Sequence, residues 1–70
     1  MASFTLTRKS AGREDLVFEF PTKRQALQIM GHGIVDNGHG TKAEAQRFAA
    51  TVQLGTPATF GPYTFILTKD

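Results

Sequence analysis

The sequence predicts a small α+β domain in which a helical hairpin packs on one face of a three-stranded, mainly antiparallel sheet. Three observations lead to this prediction. Segments near both ends alternate apolar and polar residues with the period of a strand. The middle of the chain carries apolar residues at helical spacing, and a threonine precedes each helical segment as an N-cap would. The predicted order is strand, strand, helix, helix, strand (ββααβ), in a single compact domain over residues 1–70.

The first two strands are predicted to form a hairpin. In residues 3–8, Phe4 and Leu6 alternate with polar residues, which is typical of a half-buried strand. Residues 9–15 are polar and contain a glycine, so they predict the turn. Pro21 ends the second strand. In that strand the core-facing residues are predicted to be Leu16, Phe18 and Phe20, and the outward-facing ones Val17 and Glu19.

The first helix is predicted to begin with a capping box, because Thr22 stands three residues before Gln25. Two glycines interrupt its apolar stripe, Gly31 and Gly33. Each glycine in a helix interior costs about 1 kcal/mol relative to alanine. We therefore expect this helix to end near Met30 or to bend there.

The second helix is predicted to begin with another capping box, formed by Thr41 and Glu44. Gly55 is predicted to close this helix, and Pro57 prevents its continuation. A last strand follows, with Gly61 and Pro62 as an early bend. Its apolar residues are Phe60, Tyr63, Phe65 and Leu67.

Composition narrows the range of functions. The chain has no cysteine, which excludes disulfides and zinc–thiolate sites. No apolar run is long enough for a membrane span or a signal peptide, so we expect a cytoplasmic protein with no membrane partner. Chains of this size are marginally stable alone, which leaves a homodimer or a stabilising partner open.

The charged residues suggest a binding surface. Lysine and arginine number eight against six acids, a formal charge of +2. The predicted strand directions bring the β-hairpin, the interhelix loop and the C-terminus to one end of the sheet. We call this predicted cluster the basic tip. It comprises Arg8, Lys9, Arg13, His39, Lys42 and Lys69.

Three further cations are candidate contacts. Lys23 and Arg24 lie in the first turn of a helix, where cations oppose the helix dipole, and Arg47 lies on the second helix. The alternative is that all nine residues serve only to keep the surface hydrated, since loops and chain ends are where charges usually lie.

Catalytic and metal chemistry is not predicted. His32, Asp36 and His39 offer two imidazoles and a carboxylate, but the neighbouring glycines make a poor metal site. Residues 38–42 resemble a phosphate loop superficially, although the order of threonine and lysine is reversed. Anion binding at the amides of Gly40 and Thr41 stays an alternative. No nucleophile is placed beside a base, so we expect neither an enzyme nor a cofactor.

Three functions remain after these exclusions. The first is a protein-binding module, an inhibitor or adaptor that docks through the basic tip, an exposed helix face or an open strand edge. The second is a nucleic-acid-binding protein that uses the basic tip and Arg47 with little sequence preference. The third is a structural subunit of a larger assembly. Val17 and Ile66, on the polar sheet face, are candidates for a small apolar contact.

In size and composition the chain resembles the accessory proteins of bacteriophages and mobile elements, among them anti-CRISPR proteins and host-factor inhibitors. The resemblance extends to shortness, lack of cysteine and lack of a catalytic motif, and no individual residue carries it. Many such inhibitors are acidic mimics of DNA, whereas this chain is net positive. The resemblance therefore implies an inhibitor that docks on a protein surface rather than a DNA mimic.

Overall fold

The computed structural model describes residues 3–70, which form a four-stranded antiparallel sheet and two helices. The sheet order is β2-β1-β4-β3, so the first and last strands of the chain lie side by side at its centre. In chain order the elements are β1 (Phe4–Ser10), β2 (Leu16–Phe20), α1 (Lys23–Asp36), α2 (Lys42–Thr51), β3 (Ala58–Phe60) and β4 (Tyr63–Lys69).

The α+β class is confirmed, but the prediction of three strands is wrong. Residues predicted as one bent strand form two strands, because Gly61 and Pro62 make a two-residue hairpin turn between the paired residues Phe60 and Tyr63. Gly61 has φ 57°, and proline cannot follow with a positive φ, so the turn fits type II′. With only three residues, β3 is too short to show an alternating pattern in the sequence.

The extra strand reverses the direction of β4. Because β4 pairs antiparallel with β1, Phe4 lies opposite Lys69 and Ser10 lies opposite Tyr63. The C-terminus is therefore at the end of the sheet where β1 begins, and not beside the β1–β2 hairpin as predicted. The Asp70 amide donates to the Ser3 carbonyl at 2.8 Å.

The first helix runs through both glycines to Asp36, so the expected end near Met30 is wrong. A Cβ at Gly31 would lie 3.7 Å from the Cβ of Ala45, and one at Gly33 would lie 3.9 Å from an Arg8 guanidinium nitrogen. Both distances are ordinary van der Waals contacts, so an alanine would fit at either position. Burial of Ala26, Met30 and Ile34 on the core side of α1 outweighs the intrinsic cost of glycine in a helix.

Both helices start where predicted, but among the described residues only α2 has the complete capping box. The Thr22 side chain accepts a hydrogen bond from the Gln25 amide at the start of α1. At the start of α2 the capping box is complete, since Thr41 and Glu44 each accept from the other's backbone amide. The end of α2 differs from the prediction. Helix α2 stops at Thr51, and Gly55 lies beyond it in the loop, where its amide donates to Leu67 at 2.7 Å.

Both helices cover the same face of the sheet. The face holds Leu6 of β1 with Phe65 and Leu67 of β4, whereas Val17 and Ile66 flank Thr7 on the opposite face. Helix α1 lies over β1 and β2, and Phe48 of α2 packs on the β3–β4 side. The buried core consists of Leu6, Ala26, Met30, Ile34, Ala45, Val52, Tyr63, Phe65 and Leu67.

Candidate functional site

The predicted basic tip is not assembled as one surface. Arg8 and Lys9 are consecutive residues of β1, so their side chains point to opposite faces of the sheet. Arg8 shares the helix-covered face with Leu6 and Phe65, and Lys9 lies on the open face. Arg8 and Lys9 therefore cannot contact the same flat surface of a partner.

Arg8 is part of the packing rather than a free surface charge. Its guanidinium carbon lies 4.5 Å from the centre of the Tyr63 ring, in cation–π geometry. The imidazole of His39 meets the same ring edge-on, with 4.9 Å between centroids. The Tyr63 ring thus contacts both Arg8 of β1 and His39 of the interhelix loop, which gives both residues a structural role.

The remaining predicted residues of this end are exposed and separate. Lys9 Nζ lies 3.9 Å from Asp15 Oδ2, so its charge is already partly balanced. Arg13 lies in the hairpin turn, where its amide donates to the Ser10 carbonyl at 3.3 Å. Lys42 is the first residue of α2.

Three other cations occupy the opposite end of the molecule. Lys69 lies in register with Phe4, which corrects its predicted place in the basic tip. Lys23 and Arg24 open α1 at the same end, because α1 follows closely on β2. Asp70 is also here, and it accepts hydrogen bonds from the hydroxyls of Ser3 and Thr5. The nine predicted contact residues are thus divided between two ends of the sheet.

Arg47 lies exposed on α2, one turn after Glu44. The pKa of Glu44 is lowered from its ordinary value, first by the hydrogen bond from the Thr41 backbone amide, then by the Thr41 hydroxyl, with a smaller effect of the Arg47 charge. Arg47 therefore supports the ionised capping carboxylate. The amide of Thr41 is occupied by Glu44 Oε1 at 3.0 Å. An anion bound at the amides of Gly40 and Thr41, the predicted alternative, would consequently meet the Glu44 carboxylate.

The histidine and acid constellation is not gathered into a metal site. His32 and Asp36 lie one turn apart on the continuous helix, whereas His39 packs on Tyr63. Within residues 3–70, no three His, Cys, Asp or Glu side chains lie close enough together to hold a metal ion.

A groove of about 530 Å³ lies between the outer faces of α1 and α2, and we call it the helix groove. On each helix, residues three and four positions apart line it, so one stripe of α1 faces one stripe of α2. Its floor is formed by Leu27, Gly31, Val35, Ala45 and Ala49. Its rim is formed by Arg24, Gln28, His32, Asp36, Lys42 and Gln46.

A second candidate surface is the outer edge of β2. Leu16, Val17 and Phe18 are 41%, 61% and 37% exposed, and Ile29 of α1 beside them is 43% exposed. We call these four residues the β2 edge. A cleft of about 330 Å³ opens between α1 and the β1–β2 pair, with Leu6, Met30 and Phe65 among its lining residues. Leu16 and Phe18 point to the predicted face but are not buried there, because α1 does not reach across the whole strand.

Sequence reasoning named an exposed helix face, an open strand edge and Val17 as candidate contacts, but it did not locate either surface. In β2 three consecutive apolar residues, Leu16 to Phe18, interrupt the alternation expected of a strand with one wet face. In α1, Gly31 stands at helical spacing from Leu27 and Val35, which marks a close helix contact rather than a helix end.

No family model, no curated protein and no solved structure matches this chain at a significant level. Among residues 3–70, neither helix has the length and apolar character needed to cross a membrane. The candidate surfaces therefore rest on geometry and chemistry alone.

Proposed function

We propose that the chain is a small, non-enzymatic protein-binding module that receives its partner protein in the helix groove. The observation that carries the proposal is the composition of that groove, which has an apolar floor inside a polar rim. Protein–protein interfaces have the same arrangement, with depleted charge at the centre and polar residues around it. Val35, which is 38% exposed toward the Lys42 end of the groove, is the apolar contact that we assign.

The charges of the rim indicate the chemistry of the partner. Arg24 lies near one end of the groove and Lys42 near the other, while Asp36 is the one acid that lines it within residues 3–70. Gln28 and Gln46 can each donate and accept hydrogen bonds. A fitting partner segment has apolar side chains at its centre and carboxylates toward its ends.

The distribution of cations supports a protein partner over a nucleic acid. Phosphate backbones are bound by several lysines and arginines that act on one surface. Here Arg8 is stacked on Tyr63, Lys9 lies beside Asp15, and Lys69 is at the far end of the sheet. The predicted basic tip offers too few convergent charges for that mode.

A module of this size acts by occupying its partner's surface, as an inhibitor or an adaptor does. The resemblance in size and composition to phage and mobile-element accessory proteins favours an inhibitor of a host or defence protein. The net positive charge and the rim cations favour an acidic surface on that target.

The test is site-specific photo-crosslinking in cells of the source organism. A photoreactive residue replaces Gln28 in the groove or, as the matched control, Gln53 beyond the end of α2. We expect a protein to be captured from Gln28 and not from Gln53. The captured protein is then purified, and its affinity is measured for the original chain and for Val35→Asp. A charge at this apolar position should weaken binding at least about tenfold, as loss of a main apolar contact does.

The nucleic-acid alternative is tested by titrating labelled duplex and single-stranded DNA at low and at physiological salt. Binding that weakens with a slope of roughly −0.9 per phosphate contacted would replace the present proposal with the nucleic-acid function. Equal crosslinking from Gln28 and Gln53, or unchanged affinity of Val35→Asp, would also refute the groove as the docking site.

A further inference from the structure

We infer that two copies of this chain associate through their β2 strands, which join two sheets into one continuous eight-stranded sheet. This inference goes beyond the proposed function and does not depend on the helix groove. It starts from the β2 edge, where apolar side chains are exposed on both faces of a strand that has a neighbour on one side only. An edge strand carries unpaired backbone amides and carbonyls that favour pairing with another strand.

The two edges of the sheet differ in how well they are protected. The edge strand β3 has three residues, and a short edge strand is one way in which proteins prevent pairing. The strand β2 has five residues, contains no lysine or proline, and carries one charge, Glu19. Within the described chain, β2 is thus the edge that lacks these protective features.

The sequence of β2 complements itself in one antiparallel register. A twofold axis perpendicular to the sheet keeps the helices of both copies on the same side. With the axis at Phe18, Phe18 lies opposite Phe18 of the second copy, Leu16 opposite Phe20, and Val17 opposite Glu19. Shifting the axis to Val17 would oppose Asp15 and Glu19, and shifting it to Glu19 would oppose two glutamates. Like charges directly opposite each other destabilise a sheet, so the register centred on Phe18 is selected.

The same register completes the apolar layer beneath α1. Leu6 lies beside Phe18 in the sheet, so Leu6 and Phe18 of one copy continue into Phe18 and Leu6 of the other as one apolar row. Ile29 and the cleft between α1 and β2 open toward this junction. The partner that covers the β2 edge is therefore a second copy of this chain, because this register sets apolar side chains opposite one another and keeps the two Glu19 carboxylates apart.

The first part of the test exploits the lack of cysteine. A single Phe18→Cys substitution places two cysteines opposite each other across the twofold axis, at a Cα separation of roughly 4.5–5.5 Å, which a disulfide can bridge. The matched control is Thr59→Cys on β3, the other edge strand. Under mild oxidation we expect Phe18→Cys to form a covalent dimer rapidly and Thr59→Cys to stay uncrosslinked.

The second part tests the register through Val17, which is largely exposed, so its replacement leaves the core intact. Val17→Glu opposes Glu19 of the second copy twice in the dimer, whereas Val17→Lys pairs with it twice. Sedimentation equilibrium should therefore give a dimer about tenfold weaker for Val17→Glu than for Val17→Lys.

Three results would overturn the inference. These are a chain that stays monomeric up to millimolar concentration, equal dimer affinities for the two Val17 variants, and crosslinking from Thr59→Cys as rapid as from Phe18→Cys. Groove crosslinking from Gln28 is measured on the Val17→Glu variant in parallel. An original chain that is monomeric but captures a protein from the groove refutes the dimer alone, whereas an original chain that dimerises but captures nothing refutes only the proposed function.

Discussion

The two halves of the molecule differ in how completely the monomer buries their apolar side chains. On the side of α2, β3 and β4, four aromatic rings pack against one another. The ring centroid of Phe48 lies 5.1 Å from that of Phe60 and 5.9 Å from that of Phe65. The centroids of Phe65 and Tyr63 are 5.8 Å apart. On the side of α1 and β2, the ring centroids of Phe18 and Phe20 lie 6.4 Å apart, and Phe18 is 37% exposed. Met30 and Ile34 of α1 are fully buried in this second half as well, but the exposed apolar side chains of β2 leave it less completely covered.

Truncating one phenylalanine in each half tests this difference most strongly. Phe65 is 2% exposed. Phe65→Ala should lower the free energy of unfolding by about 3–5 kcal/mol, because a cavity replaces a buried ring. Phe18→Ala should cost far less in dilute solution and should reduce the dependence of the melting temperature on protein concentration. Urea unfolding and thermal melts at several concentrations measure both effects. Equal losses at low concentration would contradict the difference between the halves.

Adding a methyl group in each half gives an intermediate effect. A Cβ at Gly40 would lie 2.8 Å from Cζ of Phe60 and 3.3 Å from Cγ2 of Ile34, so Gly40→Ala should destabilise by about 1–3 kcal/mol through overpacking. Gly33→Ala faces only Arg8 at 3.9 Å on the open side and should be neutral or stabilise α1 by up to about 1 kcal/mol. Urea unfolding of both variants distinguishes a packed half from an open one, and a stable Gly40→Ala would show that Phe60 moves freely.

The smallest expected effect concerns pH and separates the two helix starts. Because the pKa of Glu44 is lowered in the folded chain, its contribution is complete above the ordinary glutamate pKa and is lost as the pH falls through the lowered value. The start of α1 has Gln25 at the same position and carries no such charge. Hydrogen exchange should therefore show that α2 frays on acidification before α1 does.

The control for this prediction is Glu44→Gln, which keeps a hydrogen-bonding side chain and removes the titrating group. In that variant the pH dependence of exchange at the start of α2 should disappear. If it persists unchanged, another group governs the behaviour of α2 in acid.

The features that the sequence predicts correctly are those that depend on neighbouring residues. Thr22 and Thr41 identify the helix starts because a cap needs only its own helix turn. The bounds of β2 follow from alternation and from Pro21. These features involve contacts a few residues apart, which local patterns contain.

The errors arise where distant segments decide. Gly31 and Gly33 disfavour a helix locally, and the burial of Met30 and Ile34 against other elements explains why it continues. The three residues of β3 carry no readable pattern, yet they reverse β4 and move Lys69 to the other end. The predicted basic tip does not form one surface for this reason, and because the side chains of Arg8 and Lys9 point to opposite faces of the sheet. The helix groove, in turn, depends on how two helices are placed, which no single segment specifies.

The pairing of β1 with β4 has a consequence for how the chain folds. The two strands at the centre of the sheet are separated by more than fifty residues of sequence, whereas the β1–β2 hairpin and the α1–α2 pair close locally. Closing so long a loop is entropically costly and slows folding. We expect the hairpin and the helices to form early, and the sheet to be completed only when β4 has been synthesised and released from the ribosome.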